Sequence, residues 1–435
     1  MTFNLYNNKI RRASIILFFM MAITKLLGLV RELVIANYFG ASKELDIFLI
    51  SFTFPSAVLS ILVYSIPSWI IPKLTKIKSQ YGIMQFWGSA SFLLNCSFLF
   101  TLLISLILFF NAHALIHFLS PTLSQVDFDN SIILLRILLI FLIFGGVFPI
   151  LKGILHINNT FLLPGLASLS INFILIVSIL LFVNKCGNQI LAFGFSCGAV
   201  IQFFILYIYL FRKGLKVNCQ ISNKYINVIN LSFGIILLIE IGGQFFTIID
   251  RYYASQIEGI ISALNYSMVI FMIPISLIGL AIGNAIFPNL SQYAADHKWA
   301  EFKVLIKQST MLVIYIGIPV FLIFLLWPKV IVSIIFERGA FPHYATTITA
   351  EILKYYSYGL IAVLMHTILT KAYYSLGLEK ILFFVSVSSI ILKIGLSEIL
   401  FKSLAYNGLA LATSITFIFS AMILYIYLGW YLKRY

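Results

Sequence analysis

Long apolar runs follow one another from residue 13 to residue 430, and the polar residues gather in short gaps between them. Each run exceeds the roughly 20 residues that a helix needs to cross a hydrocarbon core about 30 Å thick. Inside lipid every backbone N–H and C=O must be satisfied by the segment itself or by a closed barrel. Barrel strands alternate apolar and polar positions over about ten residues, whereas these runs are continuously apolar. The pattern therefore predicts an all-α integral membrane protein with twelve transmembrane helices. They lie near 13–37, 44–72, 82–110, 131–156, 160–183, 188–211, 226–255, 259–289, 309–335, 350–376, 379–400 and 407–430.

The runs repeat internally. Pro55 and Pro274 are 219 residues apart, and the same offset matches Gly40 with Gly259, Leu45 with Leu264 and Lys152 with Lys371. It also sets Arg31-Glu32 opposite Asp250-Arg251, and with a slightly shorter offset Pro72-Lys73-Leu74 matches Pro288-Asn289-Leu290. Two pseudo-symmetric six-helix halves are expected, residues 1–216 and 217–435. An even number of spans in each half gives both halves the same orientation, as in transporters that hold their substrate between parallel repeats.

Composition sharpens this picture. Of 435 residues, 61% are hydrophobic and 10% are charged, against about 25% charged in soluble domains. The net charge of +15 comes from lysines and arginines in ones to fours between the runs. That distribution argues against nucleic acid as a partner and for topology control. With the N-terminus inside, eighteen basic residues fall on the cytoplasmic side and five on the other. Both termini are thus expected in the cytoplasm of a bacterial inner-membrane protein. The first run carries Lys25, Arg31 and Glu32 and no small-residue cleavage site, so a retained helix is expected rather than a cleaved signal. Cys96, Cys186, Cys197 and Cys219 have no metal or redox spacing and are read as packing residues. Pro55, Pro67, Pro72, Pro274 and Pro288 are expected to kink the second and eighth spans.

Ionisable groups at membrane depth cost several kcal/mol unless paired or wet, so each is a candidate for function. Lys25, Arg31 and Glu32 in span one, Asp46 at the start of span two, and Glu240, Asp250 and Arg251 in span seven form this set, with Arg136, Lys354 and Lys393 expected buried as well. One reading is a hydrated cavity in which Lys25, Arg31 and Arg251 bind a diphosphate, the arginine fork donating two parallel hydrogen bonds. The other makes Arg31–Glu32 and Asp250–Arg251 ordinary interhelical pairs or interfacial side chains. Glu32, Asp46, Glu240 and Asp250 are the expected charge partners or gating residues, and no metal cluster is expected.

At these residues the chain resembles the MurJ (MviN) lipid II flippase family of the MOP superfamily. The resemblance is carried by TKLLGLVRELVIANYFGASKELDIF (24–48), GILHINNTFLLPGLASLSIN (153–172), DRYYASQIEGIISALNYSMVIFMIPISLIGLAIGNAIFPNLS (250–291) and FERGAF (336–341). It implies an alternating-access flippase with a cationic cavity, in which Lys25 stands at a family arginine, Arg31-Glu32 at its Arg-Asp and Asp46 at its aspartate. The family's second span carries an arginine pair and a glutamate, which SAVLSILVYSIPSW (56–69) lacks, and its arginine of span eight is Val269 here. Members commonly have fourteen spans against the twelve read here.

The resemblance implies a flippase for undecaprenyl-diphosphate-linked glycans, either lipid II or an O-antigen- or capsule-type unit of the Wzx kind. A MATE-like cation-coupled exporter would call for acids in the first half, where Lys25 and Arg31 stand. A membrane glycosyltransferase would need acidic residues in large outward loops, and the segment around 112–129 offers only Asp127 and Asp129 with His113 and His117. A transporter rather than an enzyme is expected, without cofactor and acting as a monomer on a lipid-linked glycan. Coupling to the membrane potential or to a monovalent cation is expected. Some relatives hold such a cation between spans seven, eleven and twelve. Lys393, in span eleven, is expected to take that role as a tethered cation paired with Glu240.

Overall fold

The computed structural model describes residues 2–215 and 231–433. Every regular element among them is helical, as in-segment satisfaction of the backbone requires in lipid. Cys219, Lys216, Lys224 and the boundary between the expected halves lie outside the described residues. The chain forms two compact units, one of Met1–Tyr38 with Ile47–Glu240 and one of Phe39–Asp46 with Ile241–Tyr435.

The first unit holds most of α1 (Thr2–Phe39), most of α2 (Lys43–Phe110), α3 (Ala112–Leu119), α4 (Gln125–Ile157), α5 (Leu162–Cys186), α6 (Gln189–Arg212) and the start of α7 (Leu231–Ala254). Pro55, Pro67 and Pro72 lie inside α2, yet its break falls at Gly82, with φ 84° and ψ 179°. That conformation is cheap only without a Cβ, so glycine and not proline separates the apolar runs 44–72 and 82–110. The core of this unit packs Ile70, Leu74, Phe86, Leu151, Ile154, Leu155 and Leu206, all without exposure.

The second unit continues α7 through α8 (Ile260–Pro274), a π-helical turn (Ile275–Gly279), α9 (Leu280–Ala295), α10 (Trp299–Leu326), α11 (Pro328–Phe336), α12 (His343–Ser357), α13 (Leu360–Ser375), α14 (Glu379–Leu404) and α15 (Tyr406–Leu432). The π turn directly follows Pro274, where a ring without an N–H disturbs the helical ladder. Between α12 and α13 the chain bends by 51°. Ser414 Oγ lies 2.7 Å from the Tyr355 carbonyl and 3.1 Å from that of Tyr356, donating to oxygens near this bend. At the start of α15 the backbone passes so close to α14 that a Cβ on Gly408 would meet the Leu400 carbonyl oxygen at 2.1 Å. Gly408→Ala is therefore expected to destabilise the protein by about 1–3 kcal/mol, the usual cost of overpacking. Thermal unfolding of the purified variant against wild type checks this.

Among the described residues nine helices are long and apolar enough to cross a membrane, or ten with the bent pair α12–α13 as one span. The protein is thus an all-helical, multi-pass membrane protein. Three expectations of burial are corrected. Arg136 and Lys354 are exposed, and the Arg136 guanidinium rests 4.6 Å from the Phe109 ring centroid. Cys96, Cys186 and Cys197 are free and exposed rather than packed inside. The reason is common to all three. A helix surface facing lipid is as apolar as one facing a neighbour, so hydropathy cannot separate inward from outward positions.

Candidate functional site

The first unit contains a cavity of about 350 Å³ whose wall includes Arg31, Ser56, Ser60, Ser168, Asn172 and Gln202 among Phe52, Phe141, Phe148 and Phe195. Five helices supply these side chains, α1, α2, α4, α5 and α6. Arg31 is its cation. Nη1 donates to Asn172 Oδ1 at 3.0 Å, and Nη2 donates to the neighbouring Glu32 carboxylate. The guanidinium also lies 5.4 Å from the Phe195 ring centroid, a cation–π contact. Its buried Nε finds no hydrogen-bond partner among the described residues. Glu32 is itself buried, at 8% exposure, so the pair brings no net charge to the wall. What the arrangement offers an anion is a planar donor held on two sides and still short of one acceptor.

Ser56 and Ser60 are one turn apart on α2 and both line the cavity. They occupy the stretch where the arginine pair and glutamate of the resembling family are missing. Sequence reading passed over them, and over Ser168 and Gln202. Hydroxyls and amides recurring at helical spacing within apolar runs were the available signal.

Lys25 is exposed and does not belong to that wall. Glu240 is half-buried on α7, within electrostatic range of Tyr64.

The remaining candidates lie in the second unit. Asp46 caps α8, its carboxylate accepting from the Gly259 and Ser262 N–H groups at 2.6 and 2.7 Å and from Ser262 Oγ at 2.5 Å. A carboxylate is favoured there by the unpaired N–H groups and by the helix dipole. Arg251 is buried, at 9% exposure, within electrostatic range of Asp46. Asp250 pairs with Lys393, Oδ1 to Nζ at 2.5 Å. This corrects the expected partner of Lys393, which is Asp250 rather than Glu240. The two acids are ten residues apart on α7, about 15 Å along the helix axis, so one ammonium reaches only one of them. Outside the spans, His343 Nδ1 lies 2.9 Å from Glu337 Oε1, and this hydrogen bond holds the Glu337 carboxyl below its ordinary range. In the same FERGAF segment Phe336 and Phe341 pack on Tyr266.

The family model described as lipid II flippase MurJ matches residues 35–433. The chain belongs to the MurJ lipid II flippase family. Its members are transporters, not enzymes, and the matched range covers Asp46 and the second unit from Ile241 to Lys433 while beginning just after Arg31 and Glu32. The probable lipid II flippase MurJ of Rickettsia prowazekii is 26% identical over 424 residues, covering 96% of this chain and 83% of that protein. The probable lipid II flippase MurJ of Buchnera aphidicola subsp. Schizaphis graminum is 25% identical over 366 residues, covering 81% of this chain and 70% of that protein. Among solved structures, a lipid II flippase MurJ in an inward closed conformation shares the fold with a TM-score of 0.84 at 24% identity, over 95% of this chain and 87% of that one. An inward-facing multidrug resistance MATE transporter of the MOP superfamily does so with a TM-score of 0.80 at 13% identity, over 97% and 98%. The chain thus has an all-helical fold shared with these MurJ and MATE structures.

Proposed function

We propose that this chain turns lipid II from the cytoplasmic to the outer leaflet of the inner membrane by alternating access, with Arg31 holding the diphosphate. Family membership supports the substrate class. The observation that carries the chemistry is the Arg31 guanidinium, seated in an otherwise neutral cavity with Nε unpaired. An arriving diphosphate competes with Glu32 for Nη2 and offers Nε an acceptor. Asn172 keeps the guanidinium plane in place meanwhile. Outward movement of an anion is downhill in a cell whose interior is negative, by about 2.3 kcal/mol per charge for each 100 mV. The membrane potential therefore suffices as the driving term, without a cofactor. Depletion of the protein in its bacterium tests the reading: lipid II should accumulate on the cytoplasmic leaflet. Accumulation of another lipid-linked glycan in its place would overturn it.

The topology that goes with this reading has twelve spans in two six-helix halves, with both termini cytoplasmic and the monomer as the working unit. Counting α1 once, α2 as two spans on either side of Gly82, and the bent and broken helices as one span each gives that number. The repeat-matched Gly40 and Gly259 support the halves, since both adopt left-handed backbone, at φ 58° and 79°. Reporter fusions after Ser124 and after Asn218 are expected to read outside and inside respectively. The same reading at both sites contradicts this topology.

A further inference from the structure

Helices α7, α14 and α15 meet at one ammonium group. The Lys393 side chain has no solvent exposure, and its Nζ lies 2.5 Å from Asp250 Oδ1. It donates to the Leu409 carbonyl at 2.9 Å and to Thr413 Oγ1 at 2.7 Å. Three oxygens thus surround the ammonium, two accepting its hydrogen bonds and the third paired with it by charge. Thr413 Oγ1 also lies 3.1 Å from the Leu409 carbonyl oxygen, to which it donates, so two of the three oxygens are held at a fixed spacing.

Carboxylate, carbonyl and hydroxyl oxygens are the donors from which proteins build sites for hard cations. One carboxylate among them balances one positive charge. A divalent ion would leave a charge uncompensated at membrane depth, where that is costly. The monovalent cation that the family resemblance implies therefore meets a cage of suitable chemistry that is already full. We infer that this cage is a monovalent-cation site occupied by the chain's own Lys393 ammonium, so that no exchangeable cation binds there. The fixed ammonium keeps the cage neutral through every step of transport and cannot leave with an ion gradient. Replacing it by an uncharged side chain of similar length, Lys393→Met, leaves the Asp250 carboxylate with two neutral oxygens in a closed space. That space then admits sodium or potassium. A lysine serving only as a staple between helices would leave no ion site behind it.

The test uses the full chain, purified in detergent without sodium or potassium, and needs no substrate. Wild type is expected to show no saturable binding of radiolabelled sodium, and the same Tm in choline, sodium and potassium chloride at matched ionic strength. Lys393→Met is expected to bind sodium or potassium saturably, one ion to one chain, with a Tm that rises with ion concentration as linkage requires. Adding Asp250→Asn to Lys393→Met should abolish that response. Saturable sodium binding by wild type overturns the inference, and so does a folded Lys393→Met that ignores both ions. If Lys393→Met does not fold, wild type decides alone, through sodium binding and through the sodium dependence of its transport in proteoliposomes.

Discussion

Arg31→Ala is expected to abolish transport at unchanged membrane abundance, with Arg31→Lys retaining part of it. The guanidinium is held by Asn172 and Glu32 and stacked against Phe195, so its plane is set before substrate arrives. Each hydrogen bond to a charged group is worth about 1.5–3 kcal/mol. Losing a bidentate contact therefore lowers turnover by roughly a hundredfold or more. Lysine keeps the charge but not the fork, and a point charge replaces only part of that binding. Lys25→Ala gives a sharper comparison. Lys25 is exposed and off the cavity wall, so its loss should cost less than that of Arg31. Transport measured at matched expression checks both, and full activity of Arg31→Ala would remove the cavity cation from the mechanism.

Lys393→Ala and Asp250→Ala are expected to be severely destabilising singly and less so together. Each single change leaves an uncompensated charge in a buried place, at a cost of about 3–5 kcal/mol. The double variant leaves none, and its loss should fall short of the sum of the single losses by more than about 0.5 kcal/mol, the margin that marks coupled neighbours. Thermal unfolding of the four proteins closes the cycle. Strictly additive losses would mean that the contact between α7 and α14 carries no energy of its own.

Membrane character was legible in the sequence because the length of an apolar run is set by the bilayer and by the helical rise, and neither depends on packing. The break of α2 was legible as well: the gap between the apolar runs 44–72 and 82–110 ends at Gly82, where the chain leaves the helical conformation because glycine permits positive φ. Burial was not legible at Arg136, Lys354 or the cysteines, since hydropathy carries no information on which side of a membrane helix faces protein.

Arg31, Glu32, Asp46 and Asp250 stood out in sequence because charges are rare in such runs. The Arg31–Glu32 pair was legible too, but the partners of Asp46 and Asp250 were not. Lys393 could have met Glu240 or Asp250, ten residues apart on one helix, and only the rotation of α7 against α14 decides between them. Asp46 looked like a gating charge and is found capping α8, a role that depends on a contact more than two hundred residues away in the chain. Ser56 and Ser60 were overlooked because single hydroxyls are common in membrane helices. Only the helices around them make these two a cavity wall.

The most direct test of the central claim is lipid II translocation by the purified protein in liposomes with an inside-negative potential. Lipid II supplied on the leaflet matching the cytoplasmic side of the protein should reach the opposite leaflet with wild type and stay behind with Arg31→Ala. An undecaprenyl-diphosphate-linked O-antigen unit should not be carried. Lipid II left on its original leaflet by folded wild-type protein, with the O-antigen unit crossing in its place, would contradict the account.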